Sequence, residues 1–400
     1  MLGVIAAFVG ETFSDIRDGL EQMAFLGSLL TALGLLRVVA ARDRNFVDAG
    51  KYLSAQPPGR RYVSLNMGGH LFTTLLNMGG LGLLIETIMS GLHRSRNEIS
   101  EAVYNARERR IVSSIMRGFS TIAFWTPFGV ALNTLLLIFS DMHWSEIAPL
   151  GIGLAVISLA FGWSLDAIER RVWPLFPRPA ISTPSASNGR SALIVLVHVV
   201  ALGSAIVCLD FILPLSFQIV LIMIVPLYGL IWITARLGHL GPVKLATDFF
   251  ARAPTFVDEI GVFSLAGLIG PLVIALIPVA SLDYVLGIMG STPVVMALFL
   301  TWTTLAVSLI GIHPIISVLV LGELSTGSGV LSDVATSLAL LAGWAGAVVL
   351  APMATTAVFV GRLVGKNVLT VTWGWNGIYG VGVTLIYSGF ITLGLCSAIF

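Results

Sequence analysis

Long blocks of apolar residues follow one another along this chain. A helix needs about 20 such residues to cross a bilayer. Blocks meeting that length lie at 20–40, 111–140, 146–168, 191–209, 211–234, 258–279, 334–361 and 376–399, and each predicts a crossing. Two blocks are less simple. Residues 64–91 carry Gly68, Gly69, Gly79, Gly80 and Asn77. Residues 293–331 are too long for one crossing and hold Gly311-Ile312-His313-Pro314 in their middle. An apolar stretch at 2–9 is too short to cross. Residues 170–190, rich in Pro and Ser, read as a cytoplasmic linker. They divide the chain into a first repeat at 1–169 and a second at 191–400.

The polar complement is too small for a soluble domain. The 400 residues include 22 Lys+Arg and 21 Asp+Glu, which is 11% charged, against roughly 25% in soluble domains. Hydrophobic residues make up 56%, with a mean hydropathy of +0.94. The chain therefore reads as an all-α polytopic membrane protein, and soluble, disordered, fibrous and disulfide-rich classes are excluded. A net charge of +1 leaves no polybasic domain for a nucleic-acid partner. Cys208 and Cys396 sit in apolar runs without metal-ligand spacing and read as small core residues.

Charge fixes the expected topology, because cytoplasmic loops collect Lys and Arg. Residues 41–62, 92–117, 170–190, 235–256 and the stretch after 361 hold 20 of the 22 basic residues. The remaining connections are acidic or neutral. Residues 64–91 are thus flanked by basic loops on both sides and predict a hairpin that enters and leaves from the cytoplasm. The alternative, one glycine-rich crossing, would place a basic cluster outside. By the same counting 293–331 predicts a re-entrant hairpin from the opposite, periplasmic face. Residues 93–110 carry Ile99, Ala102, Val103 and Ala106 at helical spacing and predict an amphipathic surface helix.

The order of elements now repeats: helix 20–40, hairpin 64–91, proline-broken helix 111–140 and helix 146–168, then helix 258–279, hairpin 293–331, proline-broken helix 334–361 and helix 376–399. The hairpins enter from opposite faces, so the repeats are inverted, which is a transporter architecture. The crossings at 191–209 and 211–234 lack counterparts in the first half, so the natural start is expected upstream of Met1.

Residues beside the discontinuities carry the candidate chemistry. Pro127 and Pro352 should break their helices, leaving backbone groups that must face protein, water or ligand. Thr126, Asn133, Thr355 and Thr356 lie beside the breaks, either re-satisfying that backbone or binding substrate. His70 and His313 are the only histidines within the hairpins, fit to bind an anion, carry a proton or brace a tip. Thr73, Thr74 and Asn77 accompany His70, and Pro314 accompanies His313. Glu86, Asp166, Asp258 and Glu259 fall near helix ends and read as solvated or interfacial carboxylates. The four discontinuities are expected to converge on one cavity with no Arg or Lys at that depth. Backbone N–H groups, helix N-termini, hydroxyls and the histidines would then hold an anion.

This architecture, with Trp125-Thr126-Pro127-Phe128-Gly129-Val130-Ala131-Leu132-Asn133 and Ala351-Pro352-Met353-Ala354-Thr355-Thr356, resembles the ion transporter superfamily. Its members include the divalent-anion/sodium symporters and the arsenite and NhaD-type permeases. The symporters' paired Ser-Asn-Thr signature is absent. The resemblance implies a homodimer in a bacterial-type inner membrane, with a fixed scaffold and a transport domain moving as an elevator. The function read is secondary active transport of a small anionic solute, coupled to protons or sodium, with no further cofactor. An ion channel and an intramembrane lipid-modifying enzyme are the competing classes. No Walker loop, dinucleotide fingerprint or HExxH motif is present, and no nucleophile–base or metal set is found.

Overall fold

The computed structural model describes residues 13–172, 189–275, 292–326 and 329–397. The expected linker falls mostly on 173–188, and the stretch 2–9 on 1–12, outside the described residues. Among the described residues all regular structure is helical. Up to residue 172 the chain forms α1 (Phe13–Ala40), α2 (Arg44–Ser54), α3 (Pro58–Leu76), α4 (Met78–Arg94), α5 (Glu101–Ser120), α6 (Val130–Ile138) and α7 (Trp144–Val172). Then come α8 (Arg190–Ile212), α9 (Phe217–Leu237), α10 (Gly241–Arg252) and α11 (Val257–Ala275). The chain ends with α12 (Pro293–Leu309), α13 (Pro314–Ser325), α14 (Asp333–Leu350), α15 (Thr355–Val364) and α16 (Trp375–Cys396). Among the described residues six helical stretches are long and apolar enough to cross a bilayer. The protein is an all-α, multi-pass membrane protein.

Helices α3 and α4 form the first hairpin. Its turn is the single residue Asn77, at φ 47°, a conformation that Asn tolerates better than most side chains. Helices α12 and α13 form the second hairpin, turning at Gly311 with φ 104°. The broken helices follow. α5 ends at Ser120, a tight turn spans Thr121–Phe124, and α6 starts only after Pro127. α14 ends at Leu350, and α15 starts after Pro352. Both first segments begin on a serine N-cap followed by an acid. Ser100 Oγ accepts from the Val103 N–H, and Ser332 Oγ from the Ala335 N–H. Each satisfies an orphan donor, while Glu101 and Asp333 favour the helix dipole.

In lipid, helices associate through close packing of small residues rather than by expelling water. α1 and α11 run antiparallel, with Gly34 against Phe256, Gly27 against Ser264 and Gly19 against Leu268. Within each repeat the hairpin's first arm lies directly on the broken helix. A Cβ added at Gly118 would overlap the Asn66 carbonyl oxygen of α3, and one at Gly343 would overlap the Thr301 carbonyl oxygen of α12. Gly118 stands nine residues before Pro127, and Gly343 nine before Pro352. The two halves thus share one packing register as well as one order of elements.

Three expectations need correction. Residues 101–110 do not form a separate surface helix but are the first turns of α5, because α4 extends to Arg94 and the connection is short. Cys208 and Cys396 are exposed rather than in the core, on helix faces turned away from the protein interior. Asp166 is buried, since Arg110 and Arg170 both pair with it.

Ser54 and Ser95 stand before and after the first hairpin and line the same cavity. Chain entry and exit are therefore neighbours in space. Single cysteines at these two positions, probed with a membrane-impermeant maleimide in oriented vesicles, should both be labelled from the cytoplasmic face. Labelling from opposite faces would remove the re-entrant reading.

Candidate functional site

The hairpin tips and both helix breaks meet around one cavity of about 60 Å³. Four helices begin at its wall. Met78 opens α4, Gly129 to Ala131 open α6, Pro314 opens α13, and Thr355 and Thr356 open α15. The first N–H groups of any helix have no intrahelical partner and carry a positive partial charge. At α4, α6 and α15 no side chain caps them. The same discontinuities bring in C-terminal ends: Thr73 near the end of α3, Ser120 at the end of α5 and Val348 near the end of α14. A single cavity therefore sees orphan N–H groups, suited to an anion, and orphan carbonyls, suited to a cation or proton donor. Phe119, Phe128, Phe263 and Trp344 supply dry walls.

Side chains complete the site. His313 caps α13, its Nδ1 accepting from the Ile315 N–H at 3.2 Å. In the neutral ring Nε2 must then carry the proton. Phe263 and Trp344 hold the imidazole edge-on, at centroid distances of 4.8 and 5.7 Å. The Nε2–H has no partner among the described residues, and His313 lines the cavity. The Thr355 hydroxyl likewise makes no hydrogen bond among the described residues, while Thr356 Oγ1 donates to the Met78 sulfur at 3.7 Å.

The structure divides the candidate residues. Thr73, Asn77, His313, Pro314, Thr355 and Thr356 line the cavity; His70, Thr74, Thr126, Pro127, Asn133 and Pro352 do not. His70 is buried with both ring nitrogens engaged. The Trp125 indole N–H, a donor only, gives to Nε2 at 2.8 Å. Nδ1 must then donate, to the Gly118 carbonyl at 3.2 Å or the Thr121 hydroxyl at 3.1 Å. The Trp125 carbonyl in turn accepts from the Trp144 indole at 2.7 Å. His70 braces the first hairpin against the first break. Thr74 donates back to the His70 carbonyl. Asn133 Nδ2 donates to the carbonyls of Pro127 and Gly129 at 2.8 and 2.9 Å, and Thr126 Oγ1 accepts from the Phe128 N–H at 3.4 Å. These side chains satisfy backbone released by the break.

Two residues enter that the sequence reading placed elsewhere. Glu259 lines the cavity instead of lying in solvent, and its Oε1 accepts from Asn77 Nδ2 at 2.9 Å. The tip amide is thus spent on α11 rather than on capping α4. Glu259 shares a helix stripe with Phe263, Ala266 and Gly270, at i, i+4, i+7 and i+11. That stripe of apolar and small residues was the available signal that its face is buried. Arg37 also reaches the first tip, contrary to the expected absence of Arg and Lys. Its guanidinium occupies the space where a Cβ at Gly79 would be, and its charge interacts with Glu259. Arg37 lies in the last turn of α1, before a basic loop, and the hairpin tip packs beside that turn.

No protein-family model matches the sequence, and no curated protein matches it. Among solved structures, the chain is similar to the crystal structure of the Alcanivorax borkumensis YdaH transporter, described as revealing an unusual topology. The two agree with a TM-score of 0.56 and 14% identity, over 96% of this chain and 87% of that chain. At this identity the likeness establishes the fold.

Proposed function

We propose that this protein is a secondary active transporter of a small anionic solute, coupled to protons or sodium. The observation that carries the reading is the convergence of four helix N-termini and three C-terminal ends on one cavity. Such an arrangement binds charge without a fixed counter-ion and releases it when the ends separate. The fold shared with a transporter supports it. His313 Nε2–H and the Thr355 hydroxyl are the side-chain groups placed to meet the anion. Glu259 is the carboxylate placed to meet a coupled proton or sodium.

A cavity of about 60 Å³ leaves room for a few waters. In this reading an organic solute enters by widening it. Opening separates the tips from α11, breaking the contact of Asn77 with Glu259 and that of His313 with Phe263. In the elevator reading, α1, α2 and α8–α11 are the fixed scaffold, the hairpins and broken helices move along it, and the protein works as a dimer.

Proteoliposomes test the proposal. Counterflow of a labelled organic anion, accelerated by an imposed pH or sodium gradient, is expected for the purified protein. Conductance without exchange would identify a channel, and chemical turnover without flux an enzyme; either result overturns the reading.

A further inference from the structure

A second cavity, of about 210 Å³, lies at the open end of the first hairpin, away from the tips. Its walls come from the end of α2 (Ser54), the base of α3 (Arg61, Tyr62), the residue that follows α4 (Ser95) and the middle of α5 (Arg107, Arg110, Ser114), with Asp166 of α7. Its floor is apolar, formed by Leu65, Ile88, Leu92 and Ile111. Three guanidiniums therefore face one carboxylate in a walled space. That carboxylate is already committed. Arg110 holds it with both Nε and Nη2, at 2.7 and 2.9 Å, and Arg170 adds an ion pair at 3.2 Å.

Arg61 and Arg107 are left over. Among the described residues neither forms an ion pair. Arg61 Nε donates to the Gln56 carbonyl at 3.1 Å, which leaves its two Nη groups free. The charges that bear most on Arg61 are Arg107 and Arg110, both of the same sign. Arginines that serve only to mark a cytoplasmic face extend toward water, where they are solvated singly. Here two half-buried guanidiniums share a cavity whose lining acid, Asp166, is already held by Arg110 and Arg170. Like-charge crowding of this kind is relieved by a bound anion, and the planar guanidinium fork is matched to carboxylate and phosphate oxygens. The Ser95 hydroxyl, without a partner among the described residues, adds a neutral donor.

We propose that this cavity is a binding site for a phosphate-type oxyanion, clamped by Arg61 and Arg107. The phosphate can come from a free anion or from the headgroup of an anionic phospholipid; the chemistry at the site is the same. Because Ser54 belongs to α2 and the remaining walls to the hairpin and the elements behind it, an occupant would tie α2 to the hairpin base. The proposal does not depend on which solute is transported.

Two probes distinguish the sources. Inorganic [32P]phosphate is added to the full chain in nanodiscs of neutral phosphatidylcholine and followed by equilibrium dialysis. Retention of phosphatidylglycerol is followed separately by native mass spectrometry from mixed micelles. One of these probes is expected to bind the unaltered protein and Arg60→Gln, an exposed neighbour outside the cavity, with like affinity. It should bind Arg107→Gln about tenfold or more weakly, the loss that follows from removing one charge-assisted contact. Arg61→Gln should behave in the same way; should it fail to fold, Arg107→Gln decides alone, since Arg107 makes no hydrogen bond among the described residues. Phosphate binding assigns a free anion, and phosphatidylglycerol retention a lipid headgroup. The proposal is overturned if neither probe binds, or if Arg60→Gln and Arg107→Gln weaken binding equally.

Discussion

Gly118→Leu should leave little folded protein, and Gly343→Leu should do the same. At both positions the atom that an added side chain would strike is a backbone carbonyl oxygen, Asn66 O or Thr301 O, which has no rotamer in which to escape. The packing is reciprocal in the first repeat, where a Cβ at Gly69 would overlap the Ile115 carbonyl oxygen. Forcing α3 away from α5 also pulls His70 from the Gly118 carbonyl and the Thr121 hydroxyl, the bonds that seat the hairpin on the break. Overpacking in a filled core costs about 1–3 kcal/mol, and occasionally more. A four-carbon side chain against backbone lies at the upper end, about 3 kcal/mol or beyond. Gly153→Leu and Gly203→Leu are the controls, because open space lies where their Cβ would go. Thermal unfolding in detergent, followed by intrinsic tryptophan fluorescence, should show both controls near the unaltered protein and both core variants melting early or aggregating. Equal melting of Gly118→Leu and Gly203→Leu would mean that α3 and α5 are not in backbone contact.

Much of this fold was legible because membrane proteins write it in coarse units. Proline at 127 and 352 marks a break wherever it falls, since the missing N–H and the ring clash act locally. The turn at Asn77 was legible for the same reason, being set by one residue's backbone and its glycine neighbours. Faces were harder to read. Lipid and protein interior are equally apolar, so Cys208 and Cys396 gave no sign of lying outside, and α5 gave no sign that its charged first turns were continuous with its apolar end. The Gly118 and Gly343 contacts needed the partner helix to become visible. Glu259 and Arg37 show the same limit more sharply. Each sits near a helix end, where a charge ordinarily meets water; only the hairpin tip packed beside them makes the position interior. His70 and His313 looked equivalent in sequence. Their difference lies in neighbours distant along the chain, Trp125 and Thr121 for one and the cavity-lining Phe263 and Trp344 for the other.

His313→Ala should lower counterflow in proteoliposomes about tenfold or more, while His198→Ala stays near the unaltered protein. His198 belongs to α8, stacks on Trp232 at 3.8 Å and hydrogen-bonds the Tyr228 hydroxyl at 2.7 Å, which occupies it within the helix bundle. His313 has two functions that must be separated. Its Nδ1 caps α13, and its Nε2–H faces the cavity. Loss of an N-cap costs typically ~1 kcal/mol of stability, whereas loss of a donor to a buried anion costs about 1.5–3 kcal/mol of binding, or tenfold and upward. His313→Asn distinguishes them, because Asn is among the best N-caps but is too short to put a donor where Nε2–H lies. The expected pattern is a normal melting temperature for His313→Asn with transport as low as in His313→Ala. Transport restored by Asn would reduce His313 to the residue that starts α13, and the anion would then rest on the uncapped N–H groups of α4, α6 and α15 and the hydroxyl of Thr355.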